Sequence, residues 1–180
     1  MIKSGFVSVV GRPNVGKSTL VNTIVGSKVS IVSFKPQTTR DVIRGIYNDE
    51  DCQIVFTDTP GIHKSEDSLG NIMNANASNA MRDVDVILIL VDVSKESNAS
   101  DKYVIERIKN VGCPIILVLN KIDTKARVEL IPILQHYASL NISPQNWSIY
   151  TCTRAIYVCR PIYSYTHITY ITRYNQVQNK

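Results

Sequence analysis

Short apolar stretches alternate along the chain with longer segments in which apolar residues recur at helical spacing. The stretches cover residues 6–10, 42–47, 53–57, 86–91 and 115–119. Several are apolar at nearly every position, which is typical of strands covered on both faces. Helices are expected at 17–25, 69–81, 100–111 and 127–140, with Pro132 inside the last of these. The alternation predicts an α/β fold with a mostly parallel central sheet and helices on both faces.

Charge is distributed unevenly and divides the chain near residue 140. Residues 1–140 carry 16 Lys and Arg against 15 Asp and Glu, whereas residues 141–180 carry four basic residues, no acid and six of the nine tyrosines. We therefore predict one domain over 1–140 and an atypical basic tail, rich in Tyr, Thr and Ile, over 141–180. No run reaches the ~20 apolar residues that a membrane span requires. A cytoplasmic location with reduced cysteines is expected.

A candidate phosphate loop, Gly11-Arg12-Pro13-Asn14-Val15-Gly16-Lys17-Ser18, follows the first predicted strand. It fits the pattern G-x-x-x-x-G-K-[ST] between a strand and a helix. The glycines let backbone N–H groups close around phosphates, and the helix start adds its positive dipole end. We expect Lys17 to reach the β- and γ-phosphates and Ser18 to offer its hydroxyl to Mg²⁺. Phosphate binding is predicted for Gly11, Asn14, Val15, Gly16, Lys17, Ser18 and Thr19; the alternative is a chance glycine-rich turn.

A second motif, Asp58-Thr59-Pro60-Gly61, follows the third predicted strand. An acid at a strand end in a nucleotide fold can hold Mg²⁺, and here Asp58 is expected to do so through water. Gly61 can direct its N–H to a γ-phosphate because no side chain stands in the way. Alone this sequence is an ordinary turn. Its position downstream of a phosphate loop favours the functional interpretation.

A third motif, Asn120-Lys121-Ile122-Asp123, follows the fifth predicted strand and is expected to select the base. Asp123 can accept hydrogen bonds from guanine N1–H and from the exocyclic amine, whereas adenine presents no such donor pair. Lys121 can lay its stem along the base, and Asn120 can tie this loop to the phosphate loop. The motif predicts GTP or GDP as the ligand; the alternative is a solvated helix start.

A threonine-rich loop, residues 34–41, lies between the first and second predicted strands. One of its threonines should complete the Mg²⁺ shell when a γ-phosphate is present. Thr39 is the first choice and Thr38 the second. Without the other motifs, this segment would be an unremarkable loop.

The motifs together, in this order and spacing, resemble the Era-like GTPases of the translation-factor class. The resemblance covers residues 1–140. It is carried by the phosphate loop with Thr19-Leu20-Val21-Asn22, by Lys35-Pro36-Gln37-Thr38-Thr39-Arg40, Gly45-Ile46 and Asp58-Thr59-Pro60-Gly61-Ile62-His63, and by the base-selecting motif. It implies a three-layer P-loop NTPase fold, hydrolysis of GTP, and a role in assembly of the small ribosomal subunit through its rRNA. Peripheral membrane association is implied by the family alone.

The resemblance also implies two points about catalysis. Relatives place a hydrophobic residue where many GTPases carry a water-positioning glutamine, and Ile62 holds that place here. Relatives often use a phosphate-loop asparagine as a K⁺ ligand, which corresponds to Asn14. A monovalent cation there can neutralise charge on the bridging oxygens, much as an arginine finger does. The predicted catalytic residues are Asn14, Lys17, Thr39 and Gly61.

The tail departs from the family pattern. Era-like proteins continue with a Ser-Ala loop behind the guanine and with an RNA-binding KH domain that contains a G-x-x-G loop. Residues 148–154 contain no Ser-Ala, and Gly112 is the last glycine. Three interpretations stay open. They are an interrupted or frame-shifted gene, a divergent segment with tyrosines stacking between arginines, and a poorly conforming final strand at 148–153 followed by a helix.

Functions of two classes follow from these patterns. The first is an Era-like GTPase that switches conformation with its nucleotide, and the second is a nucleotide-binding remnant with impaired turnover and no RNA engagement. Another GTPase of the same group, such as the tRNA-modification type, is a further alternative. The complete set of phosphate and Mg²⁺ groups in residues 1–140 favours the first, whereas the tail favours the second.

Overall fold

A computed structural model describes residues 3–30, 32, 41–64, 68–95, 99–109, 111–140, 147–151 and 160–164. The strands in these ranges are β1 (Lys3–Val10), β2 (Ile43–Asn48), β3 (Cys52–Asp58), β4 (Val86–Asp92), β5 (Ile115–Asn120), β6 (Trp147–Thr151) and β7 (Arg160–Ser164). The helices are α1 (Lys17–Val25), α2 (Ser68–Asn79), α3 (Ala99–Ile108) and α4 (Arg127–Ser139), and a 3-10 turn spans Ile122–Thr124.

All of these strands form one sheet in the order β2-β3-β1-β4-β5-β6-β7. In the middle of the sheet, the neighbouring strands of the series β3-β1-β4-β5-β6 pair in parallel. The two edge strands, β2 and β7, pair antiparallel with β3 and β6. The α/β fold with a mostly parallel sheet, which the sequence predicts, is confirmed.

Both faces of the sheet are covered, which explains the continuous apolar runs. On β4, Ile87 and Ile89 belong to one hydrophobic cluster, whereas Leu88 and Leu90 belong to the other. The first cluster also contains residues of α2, α3 and α4, and the second contains Leu20 and Val21 of α1. Alternate side chains of a strand point to opposite faces, so a strand between two helical layers is apolar at every position.

Glycine limits α1 at both ends. Gly16 precedes the helix with φ 103°, and Gly26 follows it with φ 73°; both values lie in the left-handed region. The N–H of Gly26 donates to the carbonyl of Asn22 at 3.0 Å and closes the last turn. This pattern is common at helix ends because glycine adopts such backbone conformations without steric penalty.

The structure differs from the predictions mainly at element ends and in the tail. Helices α2 and α3 end earlier than expected, at Asn79 and Ile108, and α4 contains Pro132. A sixth strand is present as β6, but residues 160–164 form the edge strand β7 and not a helix. Pro161 and its β-branched and aromatic neighbours disfavour a helix, and an edge strand tolerates the missing N–H of proline.

The parallel strands bring their carboxyl ends to one edge of the sheet. The register places Asp58 at the end of β3 beside Val9 of β1, and Asn120 at the end of β5 beside Asp92 of β4. The loops after these four strands therefore start close together. Ligands of open α/β sheets bind at this edge.

We expect the central strands to dominate stability. Leu117 of β5 is fully buried, so Leu117→Ala should lower the free energy of unfolding by about 2–5 kcal/mol through lost burial and a residual cavity. Val128 of α4 is 74% exposed, and Val128→Ala should change that free energy by no more than about 0.5 kcal/mol. Urea unfolding monitored by circular dichroism measures both. Equal losses in the two variants would contradict the proposed core.

Candidate functional site

The loop between β1 and α1 requires backbone conformations that glycine and asparagine adopt readily. Gly11, Asn14 and Gly16 have φ values of 151°, 64° and 103°. A Cβ atom on Gly11 would lie 2.5 Å from the carbonyl oxygen of Leu90. The first backbone N–H groups of α1 lack partners within the helix, so the loop and helix start suit an anionic ligand.

Lys17 is held inside this loop. It is 7% exposed, and its Nζ donates to the carbonyl oxygens of Gly11 and Arg12 at 3.2 and 3.1 Å. Burial lowers the pKa of Lys17 to about 8, and attraction by Asp58 offsets part of that shift. A phosphate beside this ammonium group would replace the lost hydration and favour the charged form.

Two residues near Lys17 carry oxygen atoms suitable for Mg²⁺. Ser18 follows Lys17 in the sequence, and Asp58 is near enough to attract its charge. Ser18 is half-buried in the first turn of α1, and Asp58 is fully buried at the end of β3. Next to Asp58, Thr59 donates its hydroxyl to the carbonyl of Val9 at 2.8 Å and fixes this strand end. Mg²⁺ commonly takes one or two protein oxygens and completes its shell with phosphates and water, so this donor set fits the ion.

Gly61 is required by close packing. A Cβ atom at this position would lie 2.7 Å from Cγ and from the backbone nitrogen of Pro13. The next residue, Ile62, donates its N–H to the carbonyl of Gly11 at 3.1 Å, and its side chain is fully buried in the cluster beneath α2 and α3. The turn after β3 therefore rests directly on the phosphate loop, and the Ile62 side chain belongs to the core.

The base-selecting motif is physically joined to the phosphate loop. Asn120 donates from Nδ2 to the carbonyl of Val15 at 2.8 Å, and Gly16 leaves room for this amide, because a Cβ there would collide with it. Lys121 donates to the carbonyl of Asn14 at 3.1 Å. The link between the loops that the sequence predicts through Asn120 is present in the structure.

The remaining predicted residues lie around this contact. Asp123 is exposed within the 3-10 turn that follows Lys121. Val15 is fully buried in the cluster beneath α1, so only its backbone faces the loop contact. Thr19 is half-buried in α1, and its carbonyl accepts the hydroxyl of Thr23 at 2.9 Å. Thr38 and Thr39 lie outside the described residues.

Asp92 is a site residue that sequence analysis misses. It ends β4, is 2% exposed, and accepts a hydrogen bond from Lys121 Nζ at 2.6 Å. Burial raises the pKa of Asp92, but hydrogen bonds from Lys121 and Ser94 outweigh burial and hold it below its ordinary value. The sequence contains one signal that could have identified Asp92. It is an acid at the carboxyl end of a buried parallel strand, and such positions lie at the edge of the sheet where ligands bind.

Arg12 and Asp101 form a second contact that no motif indicates. Arg12 donates from Nε to Asp101 at 2.8 Å and from Nη2 to the carbonyl of Asp92 at 3.1 Å. Both residues are buried, at 7% and 3% exposure. The phosphate loop is thereby attached to the first turn of α3, which contains Asp101.

Two asparagines fix the chain on either side of the site. Asn22 of α1 accepts hydrogen bonds from the N–H groups of Val29 and Ser30 and donates to the carbonyl of Ser30, which holds the segment leading toward the threonine-rich loop. Asn74 of α2 accepts from the N–H of His63 at 3.2 Å and donates to its carbonyl at 2.7 Å. Asn74 therefore attaches the segment after Gly61 to α2.

Two surface cavities among the described residues lie away from these loops. The larger, of about 790 Å³, is lined by Arg82, Arg107 and Cys113 among others, at the amino ends of β4 and β5. The smaller, of about 440 Å³, lies against α4 and includes Lys125 and Tyr137. The convergent donors, and not the cavity size, locate the candidate site. None of the described helices is long and apolar enough to cross a membrane.

The amino-acid sequence matches known proteins over the region that contains these loops. The family described as 50S ribosome-binding GTPase matches residues 6–121. GTPase Era of Clostridioides difficile strain 630 is 54% identical over 138 residues, which cover 76% of this chain and 46% of that protein. GTPase Era of Ruminiclostridium cellulolyticum is 49% identical over 138 residues, covering 77% and 46%. The chain spans a little under half the length of these curated relatives.

Solved structures show the same similarity. Era in complex with MgGDPNP and nucleotides 1506–1542 of 16S ribosomal RNA superimposes with a TM-score of 0.77 at 35% identity, covering 84% of this chain and 52% of that one. A tyrosine-to-alanine variant of Aquifex aeolicus Era bound to GDP and AlF4⁻ gives 0.76 at 35% identity, covering 83% and 52%. The chain therefore belongs to the 50S ribosome-binding GTPase family.

Proposed function

We propose that this chain binds GTP and GDP with Mg²⁺ and hydrolyses the β–γ phosphate bond of GTP. The observation that carries the proposal is the junction of the two ligand loops. Asn120 and Lys121 of the base-selecting motif bind the carbonyls of Val15 and Asn14 in the phosphate loop. A loop for an anionic group and a carboxylate at Asp123 are thus held on one edge of the sheet. Guanine nucleotides carry both of the complementary groups.

Each residue has a defined task in this proposal. The backbone of residues 11–16 and the start of α1 bind the phosphates, with Lys17 on the β- and γ-oxygens. Ser18 and Asp58 would hold Mg²⁺, Asp58 through water, with Thr39 or Thr38 added when the γ-phosphate is present. When bound there, the ion would neutralise charge on the transferring phosphate. Asp123 selects guanine, and the N–H of Gly61 meets the γ-phosphate from beside Pro13.

Catalysis is proposed to depend on a monovalent cation. Ile62 is fully buried in the core and offers no polar group to the attacking water. Asn14 is exposed in the phosphate loop in a left-handed conformation. Its side-chain oxygen is a suitable K⁺ ligand, and K⁺ there would neutralise charge that develops on the bridging oxygens.

The wider role is proposed from the relatives. One similar protein was solved with 16S ribosomal RNA, which supports a ribosomal partner for the protein to which these residues belong. We propose that this role lies in the cytoplasm. Residues 1–140 are proposed as the GTPase region and residues 141–180 as an atypical basic tail. Association with a membrane surface rests on the family resemblance alone. Strand β6 of the tail pairs with β5, so the sheet itself extends beyond residue 140.

Base selection gives the first test of this function. The parent chain should bind GDP and GTP at least about tenfold more tightly than ADP and ATP, because adenine leaves the Asp123 carboxylate without matching donors. Asp123→Asn should shift the preference toward xanthosine nucleotides, whose oxygen replaces the guanine amine. Competition against a fluorescent nucleotide measures both changes. Glu106→Gln, at an exposed acid in α3, is the control and should keep the parent preference. Equal binding of ADP by the parent would contradict the assignment.

The lowered pKa of Lys17 gives a second test. Below about pH 8 the ammonium form is already present, whereas above it the nucleotide-free chain must take up a proton to bind phosphate. The affinity for GDP should therefore fall by up to about tenfold per pH unit above pH 8, with proton uptake on binding. Calorimetry in buffers of different ionisation enthalpy measures the uptake.

The matched variant for this test is Lys17→Arg, because a guanidinium stays charged over the whole range. Whatever its absolute affinity, its binding should show no proton uptake from this position. GDP is suitable because its phosphates are fully ionised above about pH 7.5. A flat affinity and no uptake in the parent would contradict the lowered pKa of Lys17.

The cation proposal predicts faster GTP hydrolysis in KCl than in NaCl at equal ionic strength. Asn14→Gly should remove the difference, because it deletes the side-chain oxygen yet permits φ 64°, whereas alanine would add backbone strain. Asn14→Asp keeps an oxygen and should retain part of the K⁺ preference. Phosphate release under saturating GTP is the measurement. Hydrolysis at one rate in both salts would refute the role of Asn14.

A further inference from the structure

Arg12 occupies the phosphate loop, yet its side chain is bound elsewhere. Its side chain is only 9% exposed, and its Nε lies 2.8 Å from a carboxylate oxygen of Asp101, whose side chain is 3% exposed. A second guanidinium nitrogen donates to the carbonyl of Asp92 at 3.1 Å. The fork of Arg12 thus joins the loop to the end of β4 and to the first turn of α3 at once.

We propose that Arg12 and Asp101 are positioning residues that set the geometry of the phosphate loop, and that Arg12 does not supply charge to the transferring phosphate. The inference rests on the proposed nucleotide binding and deepens it. It assigns the only arginine of the loop sequence to structure and leaves phosphate charge to Lys17 and to bound cations.

The first argument is electrostatic. A buried ion pair is stable only when its two charges stay together, because moving one partner leaves the other in a low-dielectric site. If Arg12 turned toward a phosphate, the buried Asp101 carboxylate would lose this cation. Asp101 also lies in the first turn of α3, where the helix dipole stabilises its negative charge and keeps it an effective partner.

The second argument is the connection from Arg12 to the phosphate-binding lysine. The carbonyl of Arg12 is one of the two that accept Lys17 Nζ. Fixing the Arg12 side chain on Asp101 limits rotation of this residue and therefore the direction of its carbonyl. A substitution at Asp101 would therefore alter the position of Lys17 through Arg12 alone, although Asp101 lies 84 positions after Lys17 in the chain.

The third argument is that the loop is tied to Asp92 on both sides of Pro13. On one side Arg12 donates to the Asp92 carbonyl. On the other side the carbonyl of Asn14 accepts Lys121, whose ammonium group binds the Asp92 carboxylate at 2.6 Å. The bonds form a closed ring through Asp92, and Pro13 in its middle supports Gly61.

The test compares Arg12→Gln, Asp101→Asn and the double variant with the parent. A positioning role acts on the whole loop, so Arg12→Gln should weaken GDP and GTP equally, by about tenfold or more, while kcat at saturating GTP changes by less than about threefold. The double variant should bind nucleotide better than Arg12→Gln alone, because the buried acid is neutralised and an amide pair can form. Lys109→Gln with Glu106→Gln, at an exposed ion pair, is the control and should change neither affinity.

A fourth variant, Arg12→Lys, protects the test against loss of folding. Arg12→Lys keeps a cation beside Asp101 but lacks the planar fork whose separate nitrogens reach Asp101 and the Asp92 carbonyl at the same time. It should melt near the parent temperature without nucleotide, and still bind GDP and GTP more weakly by a common factor. A purely structural role would instead lower the melting temperature and leave nucleotide affinity of the folded protein unchanged, which would overturn the inference.

A catalytic role for Arg12 would give a different result from a positioning role. A fall in kcat of about 1000-fold or more for Arg12→Gln, with GDP affinity unchanged, would identify Arg12 as a transition-state cation and overturn the positioning role. Failure of the parent to bind either nucleotide would overturn the proposed function and this inference with it. Normal binding by the parent and by all variants would overturn the inference alone.

Discussion

The hydrogen bond from Asn120 to the carbonyl of Val15 is the constraint on which the site depends. It connects the end of β5 to the middle of the phosphate loop, and it exists only because Gly16 has no side chain to fill that space. The loop cannot take another conformation without leaving the buried Asn120 amide unsatisfied, which is unfavourable in a dry environment. Gly16, which precedes α1, and Asn120, which starts the base-selecting motif, are therefore structurally dependent on each other although they are far apart in sequence.

Lys17 shows what this rigidity implies for charge. Its ammonium group is already buried among loop carbonyls, so part of its hydration has been lost before any ligand arrives. The lowered pKa records that loss. A phosphate then meets a cation that has already lost part of its hydration, which lowers the cost of binding an anion at this site.

The central strands and the main loops could be predicted because each depends on local sequence. Strands between two helical layers are apolar at every position, as Ile87 to Val91 are, and the phosphate loop needs glycine at fixed places. Asp92, Arg12 and Asn74 could not be identified with equal ease, because their roles come from partners contributed by other elements. One of the three interpretations of the tail places a helix after residue 153, but residues 160–164 pair with β6 as a strand.

Asn74 has a mechanical consequence. Its amide side chain accepts a hydrogen bond from the N–H of His63 and donates one to the His63 carbonyl. His63 lies two residues after Gly61, which packs on Pro13. The two bonds share one planar amide group, so a displacement of the backbone at His63 would strain both bonds together. A movement of the turn after β3 would therefore be passed to α2 through a single side chain.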